Sequence, residues 1–312
     1  MHIEIRRAEL DDIDEIVEVY CSGVSEWFRT VGGRRVKATY KDLSVWERFL
    51  HGGPWMSIET LSVHINYLLV YGQYPLVAIA DGRIVGELEL YIGVEKGSVG
   101  MHGFIDVLEV HASYRRRGIG RALVNEAYRI AKEHGCEKLV VWPTREAIGF
   151  YEKCGFREQL FRVVAVELEC ATSSSAEQSR LKPFPGNYDL LADMVFVSPR
   201  ILTSYTAWLK DKFVYAVELG RVEWIRGCLR EGRTCFVIET MPMDRSAGKL
   251  YLWVSDTREL RGALEDVITL ALSRGVYKLK LLVDEELLPL IESAVQRYRV
   301  VGREVVLARK IE

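Results

Sequence analysis

Phe104-Ile105-Asp106-Val107-Leu108-Glu109-Val110, then His111-Ala112-Ser113-Tyr114, then Arg115-Arg116-Arg117-Gly118-Ile119-Gly120-Arg121 is the stretch that decides the fold. The first seven residues read as a strand, and from Ile119 to about His134 apolar residues recur at helical spacing, so a glycine-relieved turn opens a helix. N–H groups at a helix start carry partial positive charge and point outward, and Gly118 and Gly120 put no Cβ between the main chain and an approaching anion. A bound phosphate ester is predicted there. A nucleoside triphosphate loop would continue with Lys-Ser or Lys-Thr after Gly120, and a dinucleotide fingerprint would need glycine where Leu123 stands and an acidic residue ending Lys138-Leu139-Val140-Val141-Trp142. Neither condition is met.

Downstream of that second strand lies Ala147-Ile148-Gly149-Phe150-Tyr151-Glu152-Lys153-Cys154-Gly155-Phe156. Together with Arg115-x-x-Gly118-x-Gly120 it forms an ordered pair of motifs that resembles the GNAT N-acetyltransferase superfamily, over residues 3 to 169 and most strongly from 75 to 160. The resemblance implies an α/β (mixed α+β) fold, a central mixed, mostly antiparallel sheet flanked by helices. It implies direct transfer of an acetyl group from acetyl-CoA to an amine, borne by a small molecule or a protein. The acetyl-CoA pyrophosphate would sit on the backbone of Arg115, Arg116, Arg117, Gly118, Ile119, Gly120 and Arg121, with arginine side chains available to the phosphates. Main-chain N–H groups near Leu108 and Val110 would stabilise the oxyanion, and Tyr151 would protonate the departing sulfur. The chain departs from the family pattern at Ala112, where proline is frequent, and at Thr144, where asparagine often contacts the pantetheine arm.

An amine acceptor titrates near pH 10.4 if it is lysine-like, so a base or a desolvating site is required. Asp106 is ranked first: it matches a position where relatives often carry a carboxylate, and strict alternation puts it on the strand face of Leu108 and Val110, with Glu109 facing away. Glu87 and Glu89, on a strand from Ile84 to Tyr91 after the hairpin signal Asp81-Gly82, are alternatives acting through water. The acceptor pocket is expected before residue 75, where Trp27, Phe28, Tyr40, Trp46, Phe49, Trp55 and Tyr67 interleave with arginines, and Gly52-Gly53-Pro54 reads as a mobile loop.

With 312 residues, 49% apolar and 28% charged, the chain exceeds usual single-domain size. A formal net charge of −2 argues against a nucleic-acid-coating surface, and Arg34-Arg35-Val36-Lys37 reads as a solvated face. No apolar run reaches a membrane span and Met1 to Arg7 lacks a secretory core, so a cytoplasmic protein is expected. The six cysteines form no Cys-x-x-Cys pair, so buried thiols and no metal are expected. Scarce amides and plentiful Arg, Lys and Glu fit growth at high temperature, which would make a disulfide admissible.

Three units are expected: residues 1–170, the acetyl-CoA-binding catalytic domain; 171–187, a linker of small polar residues and prolines; and 188–312, a degenerate GNAT-like copy. The copy repeats the helix, strand and closing Val305-Val306-Leu307-Ala308, which resembles Val163-Val164-Ala165-Val166. Aligning Val254 with Val110 sets Gly262 opposite Gly118 but Glu259 opposite Arg115, Leu264 opposite Gly120 and Glu265 opposite Arg121, so the second turn would repel a pyrophosphate. A CoA-responsive regulatory protein is the alternative to an enzyme, and a nucleic-acid-binding module comes third; the oligomeric state is open.

Overall fold

The computed structural model describes residues 2–171, 181–213, 222–295 and 297–312, so 172–180 of the expected linker lie outside the described residues. The first half runs β1 (Glu4–Arg7), α1 (Ile13–Cys21), the small hairpin β2 (Phe28–Val31) and β3 (Arg34–Lys37), α2 (Val45–Phe49), α3 (Ile58–Val70), β4 (Tyr74–Ala80), β5 (Arg83–Glu95), β6 (Gly100–Val110), α4 (Ile119–Glu133), β7 (Lys138–Val141), α5 (Ile148–Lys153) and β8 (Glu158–Glu169). The second half runs α6 (Asp189–Ala192), β9 (Val195–Ser198), α7 (Ser204–Lys210), β10 (Trp224–Leu229), β11 (Thr234–Met241), β12 (Asp244–Val254), α8 (Leu260–Ser273), β13 (Lys278–Asp284), α9 (Leu288–Ala294) and β14 (Tyr298–Lys310). Asp81 and Gly82 both take positive φ, 53° and 76°, and close the β4–β5 hairpin as their sequence signals.

Two separate sheets were expected, but the described strands other than β2 and β3 make one 12-stranded mixed sheet, ordered β1-β4-β5-β6-β7-β14-β8-β13-β12-β11-β10 with β9 beside β12. Its centre is a strand exchange. β14 pairs antiparallel with β7 (Leu307 opposite Val141), β8 pairs antiparallel with β13 (Leu281 opposite Val166), and β8 and β14 pair with each other. The similar sequences Val163–Val166 and Val305–Ala308 thus occupy equivalent places about the middle of the sheet, and residues 1–170 do not complete a sheet of their own. One face carries α4, packed over Leu88, Ile105 and Leu139, and a second core lies under α8. The opposite face holds a core shared by both halves, from Ile16, Leu61 and Ile65 to Phe196, Leu209 and Trp253.

Residues 181–187 also depart from the linker reading. Lys182 exchanges main-chain hydrogen bonds with Cys228 at 2.8 and 2.9 Å, and Pro185 O accepts the Trp208 indole N–H at 3.1 Å. Gly53–Met56 forms a 3-10 turn with Pro54 and Met56 buried, not the open loop expected of Gly52-Gly53-Pro54. Cys228 and Cys235 face each other across β10 and β11 in a disulfide, which corrects the expectation of thiols for that pair; Cys21, Cys136, Cys154 and Cys170 are free.

Candidate functional site

β6 and β7 run parallel from His102 opposite Lys138 to Ile105 opposite Val141, and there their pairing ends. His111 N–H donates to Val85 O at 2.9 Å. Ladder bonds alternate along an antiparallel strand, so Glu109 bonds towards β5 while Leu108 and Val110 turn their N–H and C=O towards the side β7 has left. A cleft with an unpaired main-chain edge results, and α4 starts at its mouth. Gly118 caps that helix at φ 90°, ψ −6°, a left-handed conformation that favours glycine, and a Cβ there would meet nothing within 4 Å. Ala122 N–H makes a helical bond to Gly118 O at 3.0 Å, so the N–H groups of Ile119, Gly120 and Arg121 precede the helical ladder.

The side chains around this turn divide differently from the sequence expectation. A Cβ on Gly120 would meet Phe150 at 3.2 Å and Leu108 at 3.5 Å, so its missing side chain makes room for helix packing and not for an anion. Arg115 folds back onto β6, donating from Nη2 to Glu109 Oε1 at 2.7 Å and from Nε to Val110 O at 3.1 Å. Val110 N–H reaches Glu109 Oε1 at 3.2 Å. Arg116 and Arg117 are exposed, the latter 5.0 Å over the Tyr114 ring, and the Arg121 cation favours the thiolate of the neighbouring Cys154 against the larger effect of burial. Thr144 is exposed at the start of a 3-10 turn, its carbonyl accepting Ala147 N–H at 3.0 Å. Tyr151 is buried between Phe150 and Phe156, with ring centroids 5.0 and 5.3 Å away, and desolvation pushes its phenol well up, so it stays protonated. It shares the core on the α4 side with Leu108.

Asp106 lies on the other face, which corrects the alternation argument. Leu90 opposes Ile105 and Glu89 opposes Val107, leaving Asp106 as the extra residue of a β-bulge. The bulge inverts the alternation. Phe104 packs in the core shared by the halves and Leu108 in the α4 core, while Asp106 and Glu109 join Glu87 and Glu89 on the face of α1 and α3. Glu87 and Glu89 are fully buried. Tyr20 hydroxyl donates to Glu87 Oε2 at 2.6 Å, and Glu87 Oε1 has no hydrogen-bond partner among the described residues. Desolvation first, and the neighbouring Glu89 charge second, raise the Glu87 carboxyl well above its ordinary range, so it is neutral. Burial also pushes Glu89 up, but His64 Nε2 and Trp55 Nε1, each 2.7 Å from its Oε1, outweigh that and leave it lowered and ionised.

Asp106 Oδ2 accepts from Lys210 Nζ at 2.7 Å, from α7 of the second half. Both line a cavity of about 240 Å³ between the halves, with Trp55, His64 and Trp142 from the first half and Trp224, Lys249 and Tyr251 among the residues from the second. Of the early aromatics expected to form an acceptor pocket, Trp55 reaches this cavity; Trp27, Phe28 and Tyr40 pack with His51 and Arg48 around the β2–β3 hairpin. Sequence reading missed His64 and the second-half residues. His64 stands at helical spacing with the buried Leu61, Ile65 and Leu68, a legible sign of a buried polar group, whereas nothing local links Lys210 to Asp106.

The second half repeats the splay and fills it. β12 and β13 pair in parallel only from Ala247 opposite Lys278 to Lys249 opposite Lys280. Beyond that β9 inserts, pairing with β12 at Leu252, Trp253 and Val254 and receiving a bond to its Ser198 hydroxyl from Leu282 N–H. The helix α8 follows its strand three residues sooner than α4 does, Leu260 after Val254 against Ile119 after Val110. Gly262 therefore falls inside α8 and is not the counterpart of Gly118; a Cβ there would run into the Arg230 guanidinium, which pairs with Asp266 at 2.7 Å.

One open splay beside a glycine-capped helix and one filled splay define a duplicated acetyltransferase fold, and the comparisons agree. The structure matches a tandem GNAT protein from the clavulanic acid biosynthesis pathway with a TM-score of 0.54 and 14% identity, over 100% of this chain and 99% of that one. It matches a GCN5-related N-acetyltransferase from Anabaena variabilis with a TM-score of 0.58 and 10% identity, over 100% and 73%. At such identities the likeness is one of fold. Residues 39–156 match the Acetyltransferase (GNAT) family. Glucosamine 6-phosphate N-acetyltransferase 1 of Oryza sativa subsp. japonica is 30% identical over 115 residues, 35% of this chain and 70% of that protein. The glucosamine 6-phosphate N-acetyltransferase of Trypanosoma brucei brucei is 38% identical over 77 residues, and the matched part is 24% of this chain and 52% of that protein. The chain belongs to the GNAT acetyltransferase family.

Proposed function

We propose that the first half transfers an acetyl group from acetyl-CoA to a primary amine. The observation that carries this reading is the parting of β6 and β7: immediately past the last pair, Ile105 and Val141, stand Asp106 and Trp142, both lining the cavity, while the α4 turn and Tyr151 lie on the opposite side of the sheet. A thioester threaded through the parting would meet an acceptor on the cavity side. Acetyl-CoA supplies the activated carbonyl; this chain's residues do the rest.

Free N–H groups of Ile119, Gly120 and Arg121 receive the pyrophosphate, with Arg116, Arg117 and Arg121 as nearby cations. Arg115 steadies the β6 edge through Glu109 and Val110. Leu108 N–H, turned into the cleft, donates to the carbonyl oxygen as it gains charge. Asp106 attracts the ammonium form of the acceptor and takes its proton; the free amine bonds to the acetyl carbon, the carbon–sulfur bond breaks as the carbonyl re-forms, Tyr151 gives its proton to sulfur, and the second proton lost by the acylated nitrogen returns the tyrosine to its neutral form through solvent. Thr144 borders the pantetheine path.

The test is thiol release from acetyl-CoA with the full chain and a set of primary amines, glucosamine 6-phosphate included because it is named for two relatives. Amine-dependent release is expected. Tight acetyl-CoA binding with no release above the amine-free rate would favour a CoA-responsive binding protein.

A further inference from the structure

We infer that the acceptor is a compact amine that also carries an anionic group, with the amine placed at Asp106 and the anionic group at Lys249 of the second half. The inference rests on the acetyl-transfer reading above and adds the acceptor's chemical class.

Size comes first. The cavity holds about 240 Å³, below the roughly 300–1,000 Å³ of sites for drug-sized ligands. It lies between the halves, over a core both share, with walls from α3 and β6 on one side and α7, β11 and β12 on the other. A cavity of this volume walled from two sides suits a small molecule better than a lysine on a protein chain.

Charge placement comes second. Asp106 stands where the strands part, lines the cavity and is held at Oδ2 by Lys210. Across the cavity, Lys249 Nζ forms a loose ion pair with Glu239, 3.6 Å from its Oε2, and lines the cavity wall. Burial alone would push the Lys249 ammonium down, but the Tyr251 oxygen and the Glu239 carboxylate outweigh it and hold it above the ordinary lysine range. Tyr251 hydroxyl, itself bonded to Glu239 at 3.1 Å, stands beside it. A carboxylate at one end and a lysine at the other, with Trp55, Phe213 and Trp224 between, match a ligand with an ammonium and an anion separated by a small apolar or ring body. Lys210 is a positioning residue: it acts through Asp106.

The experiment uses the full chain, calorimetry with acetyl-CoA, and thiol release with three pools: amino sugar phosphates and α-amino acids, their neutral counterparts (amino sugars and alkylamines), and lysine-bearing peptides. The acidic amines should give the highest kcat/KM. Lys249→Met should raise KM for them about tenfold or more with kcat nearly kept, change KM for neutral amines far less, and be rescued by Lys249→Arg. Lys210→Met should lower kcat and shift its pH profile, and Lys210→Arg should restore both. Preference for neutral amines or peptides, release from no pool despite bound acetyl-CoA, or an unchanged KM in a folded Lys249→Met protein would overturn the inference. Failure of the wild-type chain to bind acetyl-CoA would instead remove the reading beneath it.

Discussion

Ser198 Oγ accepts the Leu282 N–H at 3.0 Å, and Arg200 N–H donates to Leu282 O at 2.7 Å, so β9 is fastened to β13 inside the splay of the second half. The corresponding edge of the first half, around Leu108, is paired by no described strand. Acetyl-CoA should therefore bind once per chain. Isothermal titration giving two equivalent sites would contradict this.

The start of α4 should be sensitive to substitution at both glycines, for different reasons. Gly118→Ala forces a Cβ into a left-handed conformation, at a cost of about 1 kcal/mol in stability, with modest loss of acetyl-CoA affinity. Gly120→Glu drives a side chain against Phe150 and Leu108 and brings negative charge to the turn, and should weaken acetyl-CoA binding more than tenfold. Leu264, the alignment's counterpart to Gly120, is no use as a control because it is fully buried; Arg261→Ala, on the exposed side of α8, should leave binding intact. Equal affinities in all three variants would discredit the phosphate turn.

Tyr151→Phe keeps the ring between Phe150 and Phe156 and removes only the hydroxyl. Turnover should fall roughly ten- to a thousandfold with little change in acetyl-CoA affinity, since the hydroxyl acts on the leaving sulfur and not on the phosphates. Unchanged turnover, measured where chemistry limits the rate, would take Tyr151 out of the mechanism.

Glu87 gives a prediction in pH. Its carboxyl is raised in the folded protein, chiefly by burial, so between its unfolded and folded pKa values the folded chain holds a proton that the unfolded chain has released. Stability from this group is complete below the unfolded value and is lost as pH rises towards the folded one, at up to about 1.4 kcal/mol per pH unit. Glu87→Gln should remove that loss. Its melting temperature relative to wild type should climb from pH 5 upwards, and a constant difference across that range would show that Glu87 is ionised in the native state.

The glycine turn and the helix behind it were legible because their signals are local: a strand, two glycines and a helical period within one short stretch. The hairpin at Asp81-Gly82 was legible for the same reason. What escaped depends on contacts distant in sequence. The bulge that turns Asp106 to the other face has no mark in Ile105-Asp106-Val107 and exists because Glu89 and Leu90 pair as they do on β5. Lys210 reaches Asp106 across 104 positions of chain, and the filling of the second splay by Val195–Ser198 follows from pairing with β12. The repeat itself was visible, but its closing strands looked like the last strands of two sheets, and only their registers reveal the exchange.

That exchange bears on the order in which the chain can fold. Val141, made early in synthesis, has Leu307 of β14 as its neighbour, and Val166 has Leu281 of β13. The hairpin and helix of residues 74–133 can form from local contacts as they emerge, but the open edges of β7 and β8 must wait for more than a hundred further residues before their partners exist. Loop-closure entropy and high contact order make that last step slow. During the wait, one edge of β7 and both edges of β8 are bare, so a nascent or stalled chain is the species most prone to pair with the wrong partner.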